Sequence, residues 1–215
     1  MAIWWWLFAL VVLVVSAQDF PLNDMEPDGR PFYLVMGAES TGNRYLVSML
    51  MSMGCSGASG HEQPFDYSRD RHPDWPAHIR WDYMLRRHFV HSRCFVMHRS
   101  LPHALQWVDP MVLVDRLLEL GFRPWLLVPK RNITQVLDSQ VRNGHVHNRT
   151  EAYRNLEDYQ VIMEKTIPLM ELVHVPVVPV EHSELKHQYY IDQLAETLEL
   201  SAKPLHKLPR FKKSV

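Results

Sequence analysis

Three shortages narrow what this 215-residue chain can be. Acids and bases nearly cancel, 24 Asp and Glu against 23 Lys and Arg, so no global field draws the chain to nucleic acid or to an acidic membrane. Charge is also sparse beside a 47% apolar content, which argues against long disorder and fits one globular domain with a real core. Cysteine is nearly absent. Cys55 and Cys94 form no CxxC and have no His pair at ligand spacing, so no metal site is expected. A lumenal setting would permit one disulfide between them if their Cα atoms lie close. There is no internal repeat. Histidine is plentiful at 13 positions, mostly read as solvated surface that gains charge in a mildly acidic compartment.

The long apolar run is confined to the start. Every residue from Met1 to Val15 is apolar and the first charge is Asp19. That is short of the roughly 20 residues a membrane-crossing helix needs, and it matches a signal-peptide apolar region. Val15-Ser16-Ala17 before Gln18 has the small-residue pattern of a cleavage site. No Lys or Arg precedes the run, however, and Trp4-Trp5-Trp6 has the character of an interfacial anchor. Residues 1–17 are therefore expected to direct secretory-pathway entry, either as a cleaved signal or as an anchor held in the membrane through residues 3–17. Residues 18–30, with Pro21, Pro27 and Gly29, read as a linker into a domain over 31–202, and residues 203–215 as a basic tail.

Within the domain, short apolar runs alternate with helical periodicity. Strands are expected over 31–36, 93–98, 124–128 and 175–180, and residues 55–78 read as loop with room for a short strand ending near residue 61. Helices are expected over 43–53, where Tyr45, Leu46, Met49, Leu50 and Met53 share one face, and over 108–120, 132–143, 156–173 and 189–200. Pro168 should kink or break the fourth of these helices. The alternation predicts an α/β fold of three layers, P-loop-like, with a mainly parallel central sheet flanked by helices.

The most chemically informative stretch is Gly37-Ala38-Glu39-Ser40-Thr41-Gly42, placed between the first strand and the first helix. Glycines there allow a tight turn, and backbone N–H groups and the helix N-terminus favour a phosphate. A nucleotide-hydrolysing P-loop would continue with Lys and then Ser or Thr, but Asn43-Arg44 stands there, so ATP or GTP hydrolysis is not expected. A second signal lies further on. Arg131 falls at the end of a predicted strand and Ser139 eight residues later on the following helix, where a guanidinium fork and a hydroxyl can grasp one phosphate.

The ordered pair resembles the sulfotransferase family, which uses 3′-phosphoadenosine-5′-phosphosulfate. The stretch Ser40-Thr41-Gly42-Asn43-Arg44 is similar to the family's 5′-phosphosulfate loop, and Arg131 with Ser139 to its 3′-phosphate motif. Val178-Pro-Val-Glu-His-Ser-Glu-Leu185 and the helix ending at Leu200 resemble its late strand and hydrophobic-acidic segment. The likeness covers residues 32–200. It implies this nucleotide as co-substrate, no metal, and sulfuryl transfer to a hydroxyl of a glycan, a protein or a small molecule. Many members carry Lys or Arg where Ser40 stands, to neutralise the leaving oxygen; Arg44 is the candidate substitute.

Glu62 is the first choice for catalytic base and His61 the second, by likeness to membrane-associated members with a Glu about this far behind the loop. Cytosolic members use a His in Lys-x-His-Leu-Pro; the matching His98-Arg99-Ser100-Leu101-Pro102 puts Ser100 at that position and does not support their mechanism. The likeness is thus nearer to Golgi-type members, implying a Golgi lumen or membrane location, or secretion if residues 1–17 are removed. Trp75 and Trp81, within residues 60–87, are candidates to stack on an acceptor ring. Asn132 and Asn148 begin N-x-Thr glycosylation patterns, and only Asn148 is expected to be modified because Asn132 abuts Arg131. Two alternatives stay open: a non-catalytic sulfotransferase-like binding protein, and a P-loop small-molecule kinase.

Overall fold

A computed structural model of the chain describes residues 29–57, 92–102, 107, 109–119 and 121–209. The predicted signal or anchor and most of the linker lie outside these residues, as do Glu62, His61, Trp75 and Trp81. No described helix is long and apolar enough to cross a membrane.

Five strands form one sheet in the order β2-β3-β1-β4-β5, with every pairing parallel. They are β1 (Pro31–Gly37), β2 (Ser56–Gly57), β3 (Phe95–Ser100), β4 (Arg123–Lys130) and β5 (Val177–Glu181). Five described helices flank them: α1 (Asn43–Ser52), α2 (Pro110–Glu119), α3 (Ile133–Arg142), α4 (Arg149–Leu172) and α5 (Gln188–Thr197). The period-2 alternation of a strand sorts the core into two layers. Phe32, Leu34 and Met36 pack with residues of α2, α3 and α4, whereas Tyr33 and Val35 pack with α1 and α5. All five of these β1 side chains are at most 1% exposed, each contributing roughly 1.5–3 kcal/mol of apolar burial. The three-layer α/β architecture is thus the one expected, and its sheet is wholly parallel.

The boundaries differ from expectation in instructive places. β3 runs two residues further than the apolar run, carrying His98, Arg99 and Ser100 to the sheet's carboxyl edge, all buried. α4 begins at Arg149 rather than near residue 156, because Asn148 caps it by accepting from Glu151 N at 2.9 Å. Pro168 lies inside α4 and does not break it. The chain beyond α5 folds back: Gln188 accepts from Leu205 N at 2.8 Å, and Leu208 is buried against the α1/α5 layer. Cys55 and Cys94 form a disulfide joining the starts of β2 and β3, so the described residues hold no free thiol.

After β1 the chain turns to α1 on one face, and after β4 to α3 on the other. Diverging connections between adjacent strands open a crevice at their carboxyl ends. It is lined by residues of the β1–α1 loop, α1, β3, α3 and the α3–α4 turn.

Candidate phosphate-binding site

The crevice is an open cleft of about 500 Å³ whose wall includes Ser40, Gly42, Arg44, Ser100, Arg131 and Ser139. The β1–α1 loop owes its shape to two residues in left-handed conformation, Ser40 at φ 68° and Gly42 at φ 102°. Gly42 is required on two counts. A side chain would be strained at that φ, and a Cβ there would meet the His182 ring at 2.5 Å. The strain at Ser40 is offset by Arg131, whose Nη1 donates to the Ser40 carbonyl at 2.8 Å.

Thr41 and Asn43 have their side chains turned into the protein. The Thr41 hydroxyl donates to Ala38 O at 2.7 Å, and Asn43 Nδ2 donates to Gly37 O at 3.2 Å and to Ser100 Oγ at 3.0 Å. Both residues are at least 95% buried and fix the loop against the end of β3; of the two, Asn43 also lines the cleft. Asn43 occupies the place where a P-loop has its lysine. Gly42 caps α1 without any side-chain hydrogen bond, and Arg44 is exposed in its first turn. Ser40 Oγ is buried and has no hydrogen-bond partner among the described residues, the kind of orphaned atom that a ligand oxygen satisfies.

Arg131 and Ser139, eight residues apart, stand on the same cleft as the loop. Arg131 Nε also reaches Gln135 Oε1 at 3.3 Å. Burial, and then the nearby charge of Arg142, lower the Arg131 pKa from its ordinary value. Ser139 is 6% exposed and its Oγ accepts from Asn143 Nδ2 at 3.1 Å.

Several contributors were not singled out from the sequence. Gln140, fully buried, donates to the Glu39 carbonyl at 3.0 Å and ties the loop to α3. The Glu39 carboxylate lies 3.1 Å from His145 Nδ1 in the α3–α4 turn. Burial raises the Glu39 pKa, opposed by His145, Arg44 and Arg99. His182, at the end of β5, packs over Gly42; burial and then Arg131 push its pKa down to about 4, so the ring is neutral near pH 7. Glu39 and His182 both fall inside motifs read from the sequence, but their partners are brought to them only by the sheet. Among the described residues no cluster of His, Cys, Asp or Glu could hold a metal ion.

Compared with protein-family models, with curated proteins and with solved structures, the chain matches none.

Proposed function

We propose that the chain is a sulfotransferase that takes 3′-phosphoadenosine-5′-phosphosulfate into this cleft and moves its sulfuryl group to a hydroxyl. The observation that carries the reading is the meeting of Arg131 with the loop: its guanidinium bonds to Ser40 while Ser139 lines the same cleft. Two motifs read as phosphate-binding, separated by about ninety residues of sequence, thus line one cleft, an arrangement that suits a nucleotide with a separate 3′-phosphate. The orphaned Ser40 hydroxyl, the first-turn N–H groups of α1 and the exposed Arg44 suit the 5′ end. In the transfer the bond from sulfur to the bridging oxygen breaks as a bond from the acceptor oxygen to sulfur forms. The acceptor proton passes to a base, Glu62 first and His61 second, and Arg44 offsets charge on the departing bisphosphate. A kinase reading is disfavoured because Asn43, in place of the P-loop lysine, spends its amide on internal bonds.

The disulfide supports a lumenal location, since such bonds persist in oxidising compartments. A second reading, a binding protein without transfer activity, draws on the serine at position 40, where an active site of this type places a cation.

Calorimetry with 3′,5′-adenosine bisphosphate separates these readings. The expected result is binding that is indifferent to Mg²⁺ and lost in Arg131→Ala. Tight binding of ATP with Mg²⁺, and none of the bisphosphate, would overturn the proposal in favour of a kinase. Bisphosphate binding without transfer to any acceptor, unaffected by Glu62→Gln, would leave only the binding protein.

A further inference from the structure

Asn143 ends α3 as its C-terminal cap and holds Ser139 twice. Its backbone N–H donates to the Ser139 carbonyl at 3.0 Å, and its side-chain amide donates to Ser139 Oγ at 3.1 Å. A serine hydroxyl carries a single proton, so an Oγ that accepts from Asn143 is left with one donor to place. The usual recipient in a helix is the carbonyl four residues back, but Ser139 makes no such bond, and its proton has no acceptor among the described residues. The group is 6% exposed, on the wall of the cleft beside Arg131.

We infer that Asn143 is a positioning residue that presets Ser139 as a hydrogen-bond donor, so that this end of the cleft selects an acceptor-only oxyanion, a phosphate monoester, over a sugar hydroxyl. The inference rests on the sulfotransferase reading for the position of the 3′-phosphate and adds what makes that position selective. A sugar hydroxyl can meet a serine as donor or acceptor, so a serine of either polarity serves it. A phosphate oxygen only accepts, and a serine with one of its two lone pairs held by the Asn143 amide has its proton turned away from that amide, where it can meet the phosphate. Arg131 supplies charge at this end. Its neighbour Arg142 carries the same sign, so a ligand with two negative charges relieves their mutual repulsion.

The test compares 3′,5′-adenosine bisphosphate with adenosine 5′-monophosphate by calorimetry on the full chain and its variants. Asn143→Ala should weaken the bisphosphate about tenfold and leave the monophosphate within about twofold. Asn143→Asp, nearly the same size, would accept the serine proton and turn it from the cleft; it should weaken the bisphosphate about a hundredfold. On a Ser139→Ala background Asn143→Ala should cost nothing further, because the positioned group is gone. Both variants keep the backbone N–H that caps α3, and melting curves would check the folded state; the ratio of the two affinities does not depend on the folded fraction. An unchanged ratio in both variants would overturn the role of Asn143 while the sulfotransferase reading stands. A wild-type chain that binds neither nucleotide would overturn both.

Discussion

Asn43 Nδ2 donates to Ser100 Oγ across 3.0 Å, joining the first residue of α1 to the last residue of β3. The same amide holds the Gly37 carbonyl, so one buried side chain fixes the loop from below. Asn43→Ala should lower stability by about 1–3 kcal/mol, since it leaves buried partners unsatisfied. A double-mutant cycle with Ser100→Ala, read by urea unfolding, should return a coupling of about 1 kcal/mol; strict additivity would show that the bond carries nothing.

Gly42→Ala combines a strained φ with a collision against His182. We expect a loss of about 2–3 kcal/mol in thermal unfolding and loss of bisphosphate binding. Adding His182→Ala should recover part of the stability by relieving the collision, while the backbone strain remains.

His182 also sets a pH dependence. Its folded pKa, about 4, lies below the usual 6.5, so its contribution is complete above pH 6.5 and is lost as pH falls through about 4. The ring is only half-buried, so we expect about 1–2 kcal/mol after allowing for solvent screening. Glu39 acts with the opposite sign: raised above 4.5, it contributes below that value and loses the contribution as pH rises. Melting temperatures from pH 7 to 4 should fall less in His182→Gln than in the wild type; parallel curves would refute the assignment.

The Cys55–Cys94 bond spans a sequence separation of 39 residues. Loop-closure entropy for that length gives a contribution of about 4 kcal/mol. Urea unfolding of Cys55→Ser should show a loss of about 2–4 kcal/mol, matched by Cys94→Ser and by the double variant.

Asn132 and Asn148 both cap helices, accepting from Gln135 N at 3.3 Å and Glu151 N at 2.9 Å. Capping engages the side-chain oxygen and leaves the amide nitrogen for a glycan, so the caps do not discriminate between the two sites. Proximity does. Asn132 adjoins Arg131 at the cleft, whereas Asn148 starts α4. Mass spectrometry of lumenal protein should find a glycan on Asn148 alone; one on Asn132 in protein that binds the bisphosphate would displace the proposed nucleotide position.

The elements that position the site were legible where burial and periodicity speak together. β1 is an unbroken apolar run because both its faces are covered, and the single apolar face of α1 marks its 43–53 span. The start of α4 was missed because its first turn is polar apart from Ala152; the legible signal was the cap, Asn148 with Glu151, whose carboxylate accepts from His147 N at 2.9 Å. The bonds of Asn43 to Ser100 and Glu39 to His145 depend on parallel register and a crossover, neither of which local spacing encodes. Arg131 and Ser139 were readable as a pair. That Arg131 bonds the loop itself was not, since the loop lies ninety-one residues earlier.

The disulfide has a bearing on how this fold can diversify. The two Cα atoms it joins lie 4.7 Å apart, with β2 and β3 paired immediately after them at Ser56 and Phe95. Because the covalent tie persists when the chain unfolds, closing the ends of the intervening stretch is not a cost that folding must meet again. A change in the length of that stretch between the same two sulfurs therefore leaves the β2–β3 pairing at Ser56 and Phe95 with its covalent tie intact, so the edge of the sheet is insulated from what the intervening sequence becomes.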